Sequence, residues 1–391
     1  MNHDHPAVVL DLSANGIGII RSLARKGIDV YAYDTEGSYR KGKSRLAECD
    51  ICPNPITEPN KLLHFLVTIA KGLPKKPVLY VGSDDYVSFQ SRYREQLRPY
   101  FLFLIPEPEM IETLLDKKET YKLAVEHQIP TPKTFFLEDI SQLQEVISEI
   151  QFPCILKPSH GYQFRTKLNK KAIRVEDAAQ LMKDYEYYQS IGEVVIQEEI
   201  PGDNRCFYKL ATFYGEDMKL LASFTLQKNH QFPAEFGTGA HIESRKVPEL
   251  YTLGLPFFQK LQLKGIAMAE FKRDPRDGVF KFIEINPRFW LTHSLTGAAA
   301  IDFAYLYYLY LTKQKFTATN DFKEGIKWIY LVRYFLTYLE KRKEGKMNFV
   351  EFLRGLKGEK VFALLAKDDV MPFVRSSISH LWKAWRKRRK E

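Results

Sequence analysis

The sequence contains few cysteines and no long apolar run. Its four cysteines in 391 residues are too few for a disulfide framework, which indicates a reducing compartment. No apolar stretch approaches the length of a transmembrane helix, and the first residues, MNHDHPAVVLDL, lack the basic region and the small-residue cleavage site of a signal peptide. These absences argue against a secreted disulfide-rich protein and a membrane-spanning protein, and they predict a cytoplasmic globular protein.

Two short motifs are too incomplete to indicate a cofactor. Cys49 and Cys52 form an isolated C-x-x-C, which fits a redox or zinc half-site, but packing in a short strand is favoured because no second pair or histidine cluster accompanies them. Residues 15–18, Asn-Gly-Ile-Gly, lack the third glycine of a dinucleotide-binding fingerprint. We therefore interpret them as the tight turn of a Rossmann-like domain.

The positive charge of the chain is concentrated at its C-terminal end. The formal net charge is +10, and the terminal SHLWKAWRKRRKE combines basic residues with two tryptophans. Such a helix is compatible with peripheral contact with an anionic membrane at its inner face, although a solvated helix end is the more frequent outcome. Nucleic acid is disfavoured as a partner, since the aromatic residues between 302 and 338 have the spacing of core packing or of a subunit interface, compatible with a homodimer.

The order of strand and helix patterns predicts a fold that combines α/β and α+β parts. Residues 7–34 have the pattern of strand, helix and second strand, which is typical of a parallel sheet. A further strand pattern at 77–85 ends in two aspartates, and prolines near 105–108 mark a boundary. Strands closed by Pro and Gly follow, and from about residue 320 the pattern is mostly helical.

The run FIEINPRFW, residues 282–290, places polar side chains on one face of a buried strand. Its alternation puts Glu284 and Asn286 at same-face spacing, and Glu270 ends another apolar run upstream. Leaving such groups unpaired near a core would cost roughly 2 to 7 kcal/mol for each uncharged polar group and more for a charge. Two carboxylates and an amide oxygen are hard ligands suited to Mg²⁺, so these residues are candidate metal ligands.

Two further motifs are ambiguous when taken singly. Lys157 follows an apolar strand, where a lysine either caps the strand end in solvent or directs its ammonium at a phosphate. Gln197, Glu198 and Glu199 come directly after a buried run. Either an exposed hinge or a linker whose backbone reads an adenine edge explains that position.

The order of these motifs resembles the ATP-grasp superfamily over about residues 1 to 310. The matching features are Asp-Lys at 116–117, the strand lysine, QEEIPG at 197–202, the carboxylate at 270 and E-x-N-P-R at 284–288. Within that superfamily the pattern is most similar to the carboxylate–amine ligases related to D-aspartate ligase. The resemblance implies a Rossmann-like domain at 1–108, a small ATP-grasp lobe at 109–200, a large lobe with the metal site at 201–318, and a helical C-terminal extension with a basic tail at 319–391.

The resemblance implies a role for each matched residue. Cations would hold the ATP phosphates, the hinge would read adenine and ribose, and hard oxygens would hold one or two Mg²⁺ ions, with Mn²⁺ as an alternative. In that order the residues are Lys117 and Lys157 for the phosphates; Gln197, Glu198, Glu199 and the backbone of Ile200 for the adenine end, with Asp203 for the ribose; Glu270, Glu284 and Asn286 for the metal; and Arg288 for the transferring phosphoryl group. Catalysis of this kind depends mostly on positioning and electrostatic stabilisation.

One loop departs from the superfamily pattern. Many members carry several glycines after the strand lysine, whereas this chain has SHGYQFRTKLNKK with Gly161 alone. His160, Arg165 and Lys167 in this loop carry charges that could close on a triphosphate. The scarcity of glycine nevertheless predicts a less mobile cover over the phosphates.

Two segments are candidates for the substrate side of the site. In residues 225–244 we identify Lys228 as a catalytic candidate and His241 as a substrate candidate, although a lone histidine is more often structural. Residues 38–50 are dense in cations, and a solvated surface loop is about as good an explanation as a binding role. In the ligase interpretation the amino-acid substrate would be gripped by Arg40 or Arg45 with Asp84 and Asp85 across the cleft.

The sequence thus supports two hypotheses from different classes. The first is an ATP-dependent ligase that activates a small-molecule carboxylate as an acyl phosphate and couples it to an amine, giving an amide or peptide-like bond. The alternative is a non-catalytic, ATP-grasp-like nucleotide-binding or scaffold protein attached to a membrane through its basic tail. The intact set of Glu270, Glu284, Asn286 and Arg288 favours the ligase.

Overall fold

The strands of the protein form three sheets in the computed structural model, which describes residues 3–159 and 172–388. The first sheet is built from the N-terminal part of the chain and is parallel, with the order β3-β2-β1-β4. Its strands are β1 (Ala7–Leu10), β2 (Val30–Asp34), β3 (Glu48–Ile51) and β4 (Val78–Val81). Strands β1 and β4 are buried at every position, which explains their continuous apolar sequences and confirms the predicted Rossmann-like domain.

The helices of this first domain connect and cover its strands. They are α1 (Ala14–Ala24), α2 (Glu36–Gly42), α3 (Pro59–Gly72), α4 (Asp84–Arg92) and α5 (Arg94–Leu97). Helix α4 begins directly after β4, with Ser83 as its N-cap accepting from the Tyr86 N–H. The two aspartates that follow β4 in the sequence therefore lie in the first turn of a helix at the carboxyl edge of the sheet.

The interpretation of residues 15–18 as a tight turn was wrong, because these residues lie inside α1. The two glycines of this motif, Gly16 and Gly18, instead permit close packing because they have no side chain. A Cβ atom on Gly16 would lie 1.7 Å from the Asp11 carbonyl oxygen, and one on Gly18 would lie 2.6 Å from His293 Nε2. Asn15 donates to the carbonyls of Gly82 and Phe289 at 2.8 and 3.0 Å. The motif thus joins the first domain to the end of FIEINPRFW.

A second, antiparallel sheet with the order β5-β8-β6-β7 follows. Its strands are β5 (Thr134–Phe136), β6 (Cys154–Pro158), β7 (Ile173–Val175) and β8 (Val194–Glu198), and the helices of this part are α6 (Pro108–Leu115), α7 (Lys117–Glu126), α8 (Ile140–Val146) and α9 (Ala178–Gln189). Cys154, Leu156 and Ile196 point to a common core with Leu181 of α9. Residues of opposite parity on β6 and β8 are thereby left for the other face.

The third sheet is the largest of those in the described residues and has the order β13-β12-β9-β10-β11-β14-β15. Its strands are β9 (Phe207–Tyr214), β10 (Leu220–Phe232), β11 (Thr238–Ser244), β12 (Gly265–Arg273), β13 (Phe280–Asn286), β14 (Lys327–Ile329) and β15 (Lys360–Phe362). The associated helices are α10 (Pro248–Lys260), α11 (His293–Ala298) and α12 (Phe303–Leu311). Adjacent strands are antiparallel except for β14 and β15.

The C-terminal part adds helices and also extends the large sheet. Its helices are α13 (Leu331–Lys343), α14 (Phe349–Gly355) and α15 (Met371–Arg388). The predicted, mostly helical extension is confirmed, and the short strands β14 and β15 within it, of three residues each, carry too short a pattern to be predicted from the sequence. Residues 389–391 of the predicted basic tail lie outside the described residues. None of the helices in the described ranges is long and apolar enough to cross a bilayer.

A buried aromatic cluster fixes the first domain against the large sheet. Tyr80 of β4 contacts Phe289 and Tyr307, with ring centroids 5.5 and 5.3 Å apart. Tyr307 also donates to and accepts from the backbone of Leu104. Such close aromatic packing holds the carboxyl edge of β4 beside the end of β13.

Candidate active site

A cleft of about 1450 Å³ lies where the three sheets meet. One wall comes from β6 and β8 of the small sheet, another from β9, β10, β12 and β13 of the large sheet, and one end from α4 of the first domain. The size suits a ligand as large as a nucleotide with a second substrate. All the residues assigned from the sequence to phosphate, hinge and metal roles line this cleft.

Strand alternation explains why polar side chains converge on it. On β12, Met268, Glu270 and Lys272 line the cleft, while Ala269 and Phe271 pack into the core on the other face. The register shifts beside the cross-strand pair of Glu270 and Glu284, because the next residue of β12, Phe271, pairs with Phe282 of β13. The ladder skips Ile283, so that Glu284 lines the cleft opposite Glu270 while Phe282 packs into the core.

Glu270 is held by two lysines from neighbouring strands. Its Oε2 lies 2.6 Å from Lys209 Nζ and its Oε1 lies 3.1 Å from Lys228 Nζ. Burial alone would raise the pKa of this carboxyl, but the two ammonium groups outweigh it and lower the pKa below its usual range. Burial lowers the pKa of Lys228. Glu270 therefore carries its negative charge at neutral pH, in a cluster of buried charges at the centre of the cleft.

The FIEINPRFW motif forms a connected chain of hydrogen bonds. Asn286 Nδ2 donates to Glu284 Oε1 at 3.1 Å, and Arg288 Nη2 donates to Asn286 Oδ1 at 2.8 Å. Arg288 Nε then donates to Asp84 Oδ1 at 2.6 Å. Burial opposes the charge of Arg288, but the ion pair with Asp84 raises the pKa of the guanidinium. The first domain thus fixes the direction in which Arg288 points.

Lys157 faces this cluster from the small sheet. Its Nζ donates to Gln197 Oε1 at 2.5 Å, and Gln197 Nε2 donates to Thr134 Oγ1 at 2.9 Å. Burial, together with the nearby Lys117, lowers the pKa of Lys157 to about 8. An anion placed between the two lysines would relieve both effects. The predicted phosphate lysines are therefore close in space as well as matched in sequence.

The side chains of the predicted hinge are engaged by neighbouring cations. Glu198 pairs with Arg276, and Glu199 Oε2 lies 2.6 Å from Arg174 Nε. Asp203 caps a short 3-10 turn and pairs with Arg205 at 2.8 Å. The carboxylates of all three hinge residues are therefore paired with arginines.

The substrate candidates outside the motifs are distributed unequally. Asp84 and Asp85 line the cleft, whereas Arg40, Arg45 and His241 are not among the residues that line it. The two arginines therefore do not face Asp84 and Asp85 across the cleft, contrary to the expectation from the sequence. The charged loop residues His160, Arg165 and Lys167 lie outside the described residues.

The contacts of Arg40, Arg45 and His241 explain why these three residues do not line the cleft. Arg40 pairs with Glu36 one turn earlier on α2 and is mostly exposed. Arg45 donates through its side chain to the Asp368 carbonyl and through its backbone to Asp369 Oδ1 at 3.2 Å. His241 is buried, and its ring nitrogens contact Asn229 and the Gly355 carbonyl.

Among the cations that line the cleft and that sequence reasoning missed, two lie on strands of the large sheet. Lys209 pairs with Glu270, and Lys272 Nζ donates to the Ile200 carbonyl at 2.6 Å. Lys272 lies two residues after Glu270 on the cleft face of β12, so the period of two was the available signal there, whereas β9 carries no residue recognised from the sequence that could point to Lys209. Through its bond to Ile200, Lys272 connects the hinge to β12.

The donor set is suited to a hard cation, with one qualification from its present contacts. Two carboxylates and an amide oxygen on paired strands are typical Mg²⁺ ligands. Both oxygens of Glu270 accept from lysines, so an ion bound there would replace at least one of these contacts. No cluster of three His, Cys, Asp or Glu side chains suited to a metal is found in the ranges 3–159 and 172–388. Substrate oxygens would have to complete the coordination.

Comparison with known proteins agrees with this geometry. No family model matches the chain. It is 25% identical to D-aspartate ligase of Enterococcus faecium over 307 residues, which are 73% of this chain and 72% of the relative. Its fold is similar to that of an L-amino acid ligase from Bacillus licheniformis, with 15% identity and a TM-score of 0.61 over 80% of this chain and 75% of that one. It is also similar to N5-carboxyaminoimidazole synthetase from Staphylococcus aureus complexed with ADP, with 13% identity and a TM-score of 0.67 over 88% and 87% of the two chains.

Proposed function

We propose that this chain is an ATP-grasp, ATP-dependent carboxylate–amine ligase, which is supported by its motifs, by its similarity to D-aspartate ligase and by its fold. One observation carries the proposal. Lys157 on the small sheet faces a cross-strand set of Glu270, Glu284, Asn286 and Arg288 on the large sheet across a single nucleotide-sized cleft. This arrangement supports the proposal, because it would present cations to the phosphates from one wall and hard oxygens to a divalent ion from the other.

In the proposed first step the carboxylate substrate attacks the γ-phosphorus of ATP. An acyl phosphate forms, the bond to the β-phosphate oxygen breaks, and ADP leaves. Lys157 and Lys117 would balance the phosphate charges, while Arg288 and Lys228 would stabilise charge on the transferring group. The pairing of Arg288 with Asp84 holds the guanidinium in place before substrate arrives, which reduces reorganisation during the step.

In the second step an amine attacks the acyl carbon. The bond from that carbon to the phosphate oxygen breaks, inorganic phosphate leaves, the amine gives up a proton, and an amide remains. Asp84 and Asp85 line the same end of the cleft as Arg288, so we assign the amine and the acyl end of the carboxylate to this region. Both partners would be small molecules, and an amino acid agrees with the names of the two ligases to which the chain is similar.

Glu270, Glu284 and Asn286 are the residues that would hold Mg²⁺. One or two such ions, or Mn²⁺, would supply Lewis-acid stabilisation of the phosphate oxygens. The direct opposition of Glu270 and Glu284 in the β12–β13 register supports this assignment. The two lysines on Glu270 would then keep the carboxylate ionised and oriented before the ion binds.

The test is ADP and phosphate release from ATP by the purified full chain, offered Mg²⁺ with pools of amino acids and small carboxylates. We expect release only when both an acceptable carboxylate and an amine are present, and loss of release in Glu284→Gln. Isotope-labelled substrates would show the amide product by mass spectrometry. Failure of the wild-type protein to bind ATP in a parallel binding assay would overturn the proposal.

One observation supports the alternative in which the protein contacts a membrane through its C-terminal helix. Helix α15 exposes Met371, Val374, Ile378 and Trp382 at spacings that place them on one helical face. An apolar face followed by basic residues is typical of helices that lie on anionic membranes. Binding to vesicles containing phosphatidylserine, compared between the full chain and a version lacking residues 380–391, tests this contact. Equal binding by the two proteins would remove it.

A homodimer is the remaining partner prediction. A biotin carboxylase domain that shares the fold at a TM-score of 0.64 and 16% identity forms a dimer, which is a property of that protein. Exposed apolar residues on α13 and α14, namely Phe335, Phe349, Val350 and Leu353, offer a surface of the type that self-association covers. Sedimentation across a range of protein concentrations would decide whether the chain dimerises.

A further inference from the structure

Helix α13 reaches the cleft from a part of the chain to which the sequence analysis assigned no site residue. Lys341, near the end of this helix, lines the cleft together with hinge residues and the β10–β11 turn. The helix lies in the C-terminal extension beyond the region that resembles the superfamily. Its presence at the cleft could not be predicted from the motifs, all of which lie before residue 310.

The same helix supports the β10–β11 turn, residues 233–237, through several hydrogen bonds. Each of four residues on α13 makes one contact with this hairpin. The contacts are Arg333 Nη1 to Thr238 Oγ1 at 2.6 Å, Thr337 Oγ1 to the Gln231 carbonyl at 2.9 Å, Ala234 N–H to Glu340 Oε2 at 3.3 Å, and Lys341 Nζ with His230 Nδ1 at 3.3 Å. The helix thus sets the position of one wall of the cleft.

The turn has little freedom to adopt another shape. Phe236 has a φ of +49°, which places a bulky residue in the left-handed region. A Cβ atom on Gly237 would lie 2.0 Å from the Pro233 carbonyl oxygen. The turn is thus closely packed within itself and is also bonded to α13, the helix that carries Lys341.

The ammonium of Lys341 has unused hydrogen-bonding capacity. It carries three N–H donors, and His230 Nδ1 takes up one of them within the described residues. Burial and the nearby Lys341 lower the pKa of His230 to about 3, so the imidazole is neutral and acts as an acceptor. Two donors remain for a ligand in the cleft.

The charges around Lys341 place it near the end of the hinge. Asp203, the proposed ribose residue at the end of the hinge, is the acidic group with the largest electrostatic effect on Lys341. Lys228, on the same wall, lies deeper in the cleft beside Glu270. A ligand extending from the hinge to the Glu270 cluster would pass between these two lysines.

We propose that Lys341 is a nucleotide-binding residue whose ammonium contacts the ribose–phosphate part of ATP, so that the C-terminal extension completes the nucleotide site. This rests on the proposed function, since it assumes that ATP occupies the cleft. It assigns a binding role to the extension, with an anionic or hydroxyl oxygen of the nucleotide as the acceptor. A charge-assisted hydrogen bond of this kind is stronger than a neutral one.

The experiment compares Lys341→Met with Lys343→Met in the full-length protein. Lys343 is exposed on the same helix, so its substitution removes the same charge without altering the cleft. Dissociation constants for ATP, ADP, AMP and adenosine would be measured by calorimetry, with competition for the weakest ligand. We expect about tenfold weaker binding of ATP and ADP by Lys341→Met, near-normal binding by Lys343→Met, and recovery in Lys341→Arg.

The ligand series identifies the acceptor. A loss for ATP, ADP and AMP but not for adenosine assigns the contact to phosphate, and an equal loss for adenosine assigns it to the ribose; both outcomes support the proposal. Unchanged binding by Lys341→Met would overturn it. A loss that Lys341→Arg does not restore, accompanied by a lower melting temperature, would also overturn it, because Lys341 would then act only by supporting the turn. Absence of ATP binding by the wild-type protein would instead contradict the proposed function itself.

Discussion

Two charged regions of the sequence differ in where the structure places them: one lines the cleft and the other lies away from it. Residues 284–288 lie at the end of β13, an edge strand of the large sheet, and the side chains of Glu284, Asn286 and Arg288 form one hydrogen-bonded chain that ends at Asp84 in the cleft. Residues 38–50 are as dense in charge, yet Arg40 pairs with Glu36 on the surface and Arg45 contacts the chain near residue 369. Charge density alone therefore does not distinguish a binding region from a structural one.

The difference comes from how each region is held. From Glu284 to Asn286 strand β13 alternates and pairs with β12, so the common face of Glu284 and Asn286 follows from local sequence. The cationic segment has no such periodicity, and its direction is set by contacts far away in the chain. The buried pair of Arg21 and Asp369, with Nε and Oδ2 3.1 Å apart, is the centre of those contacts, and Ser44 donates to the same carboxylate at 2.8 Å.

The largest effect is expected for Glu284→Gln. This change keeps the shape of the side chain and its contact with Asn286 but removes the negative charge that would hold a divalent ion. We expect turnover to fall by about 10³-fold or more, equal to about 4 kcal/mol of transition-state stabilisation, with an unchanged melting temperature. ADP release under saturating ATP and Mg²⁺ measures it. Retention of more than a tenth of the activity would mean that the β13 edge is not the metal site.

The second prediction moves to the other region and concerns stability. Asp369 has no exposed surface, and Asp369→Asn removes the charge opposite the buried guanidinium of Arg21. We expect a loss of about 3 kcal/mol in the free energy of unfolding, near the lower end for a broken buried pair, because Arg21 keeps two carbonyl acceptors at 2.7 Å. Denaturant unfolding would measure the change.

The matched control for this second prediction is Asp368→Asn. Asp368 lies beside Asp369 and pairs with Arg25 at 2.7 Å, but both side chains are more than two-fifths exposed, so we expect a loss below about 1 kcal/mol. Activity per folded molecule should stay near wild type in both variants. An Asp369→Asn protein that is fully stable but inactive would contradict the structural role of this region.

The third prediction uses the pH dependence of nucleotide binding. Burial and Lys117 lower the pKa of Lys157 to about 8 in the free protein, so this lysine loses its proton as the pH rises through that value. Phosphate oxygens would stabilise the ammonium and raise its pKa in the complex. Affinity for ATP should therefore fall by up to about tenfold per pH unit above about pH 8. Below that pH the contribution of Lys157 to affinity is fully present.

Proton uptake on binding separates this effect from others. At about pH 8.5 a fraction of free Lys157 is neutral, and ATP binding should take up a corresponding fraction of a proton. Calorimetry in buffers of different ionisation enthalpy measures that uptake. In Lys157→Arg the guanidinium stays charged, so both the uptake and the pH dependence should disappear. Their persistence in the variant would assign the titration to another group.

The sequence allowed the fold class and the polar edge of β12 and β13 to be predicted because both follow from local patterns. Alternation placed Glu284 and Asn286 on one face, and the apolar runs of β1 and β4 indicated a parallel sheet. Partners distant in sequence could not be predicted in this way. Lys209 meets Glu270 only through the order of the strands, and Lys341 reaches the cleft only because α13 packs against β10.

The smallest effect is expected for Arg40→Ala, which tests whether the cationic segment at residues 38–50 has no role in substrate binding. The Arg40 side chain is 74% exposed and its partner Glu36 lies on the same helix, so the change removes only a surface pair. We expect KM for ATP, the carboxylate and the amine to stay within about twofold of wild type, with no change in the melting temperature. Steady-state kinetics with each substrate varied in turn would show this. A fivefold or larger increase in KM for one organic substrate alone would place residues 38–50 at the site during turnover, because a surface pair outside the cleft has no means of discriminating between substrates.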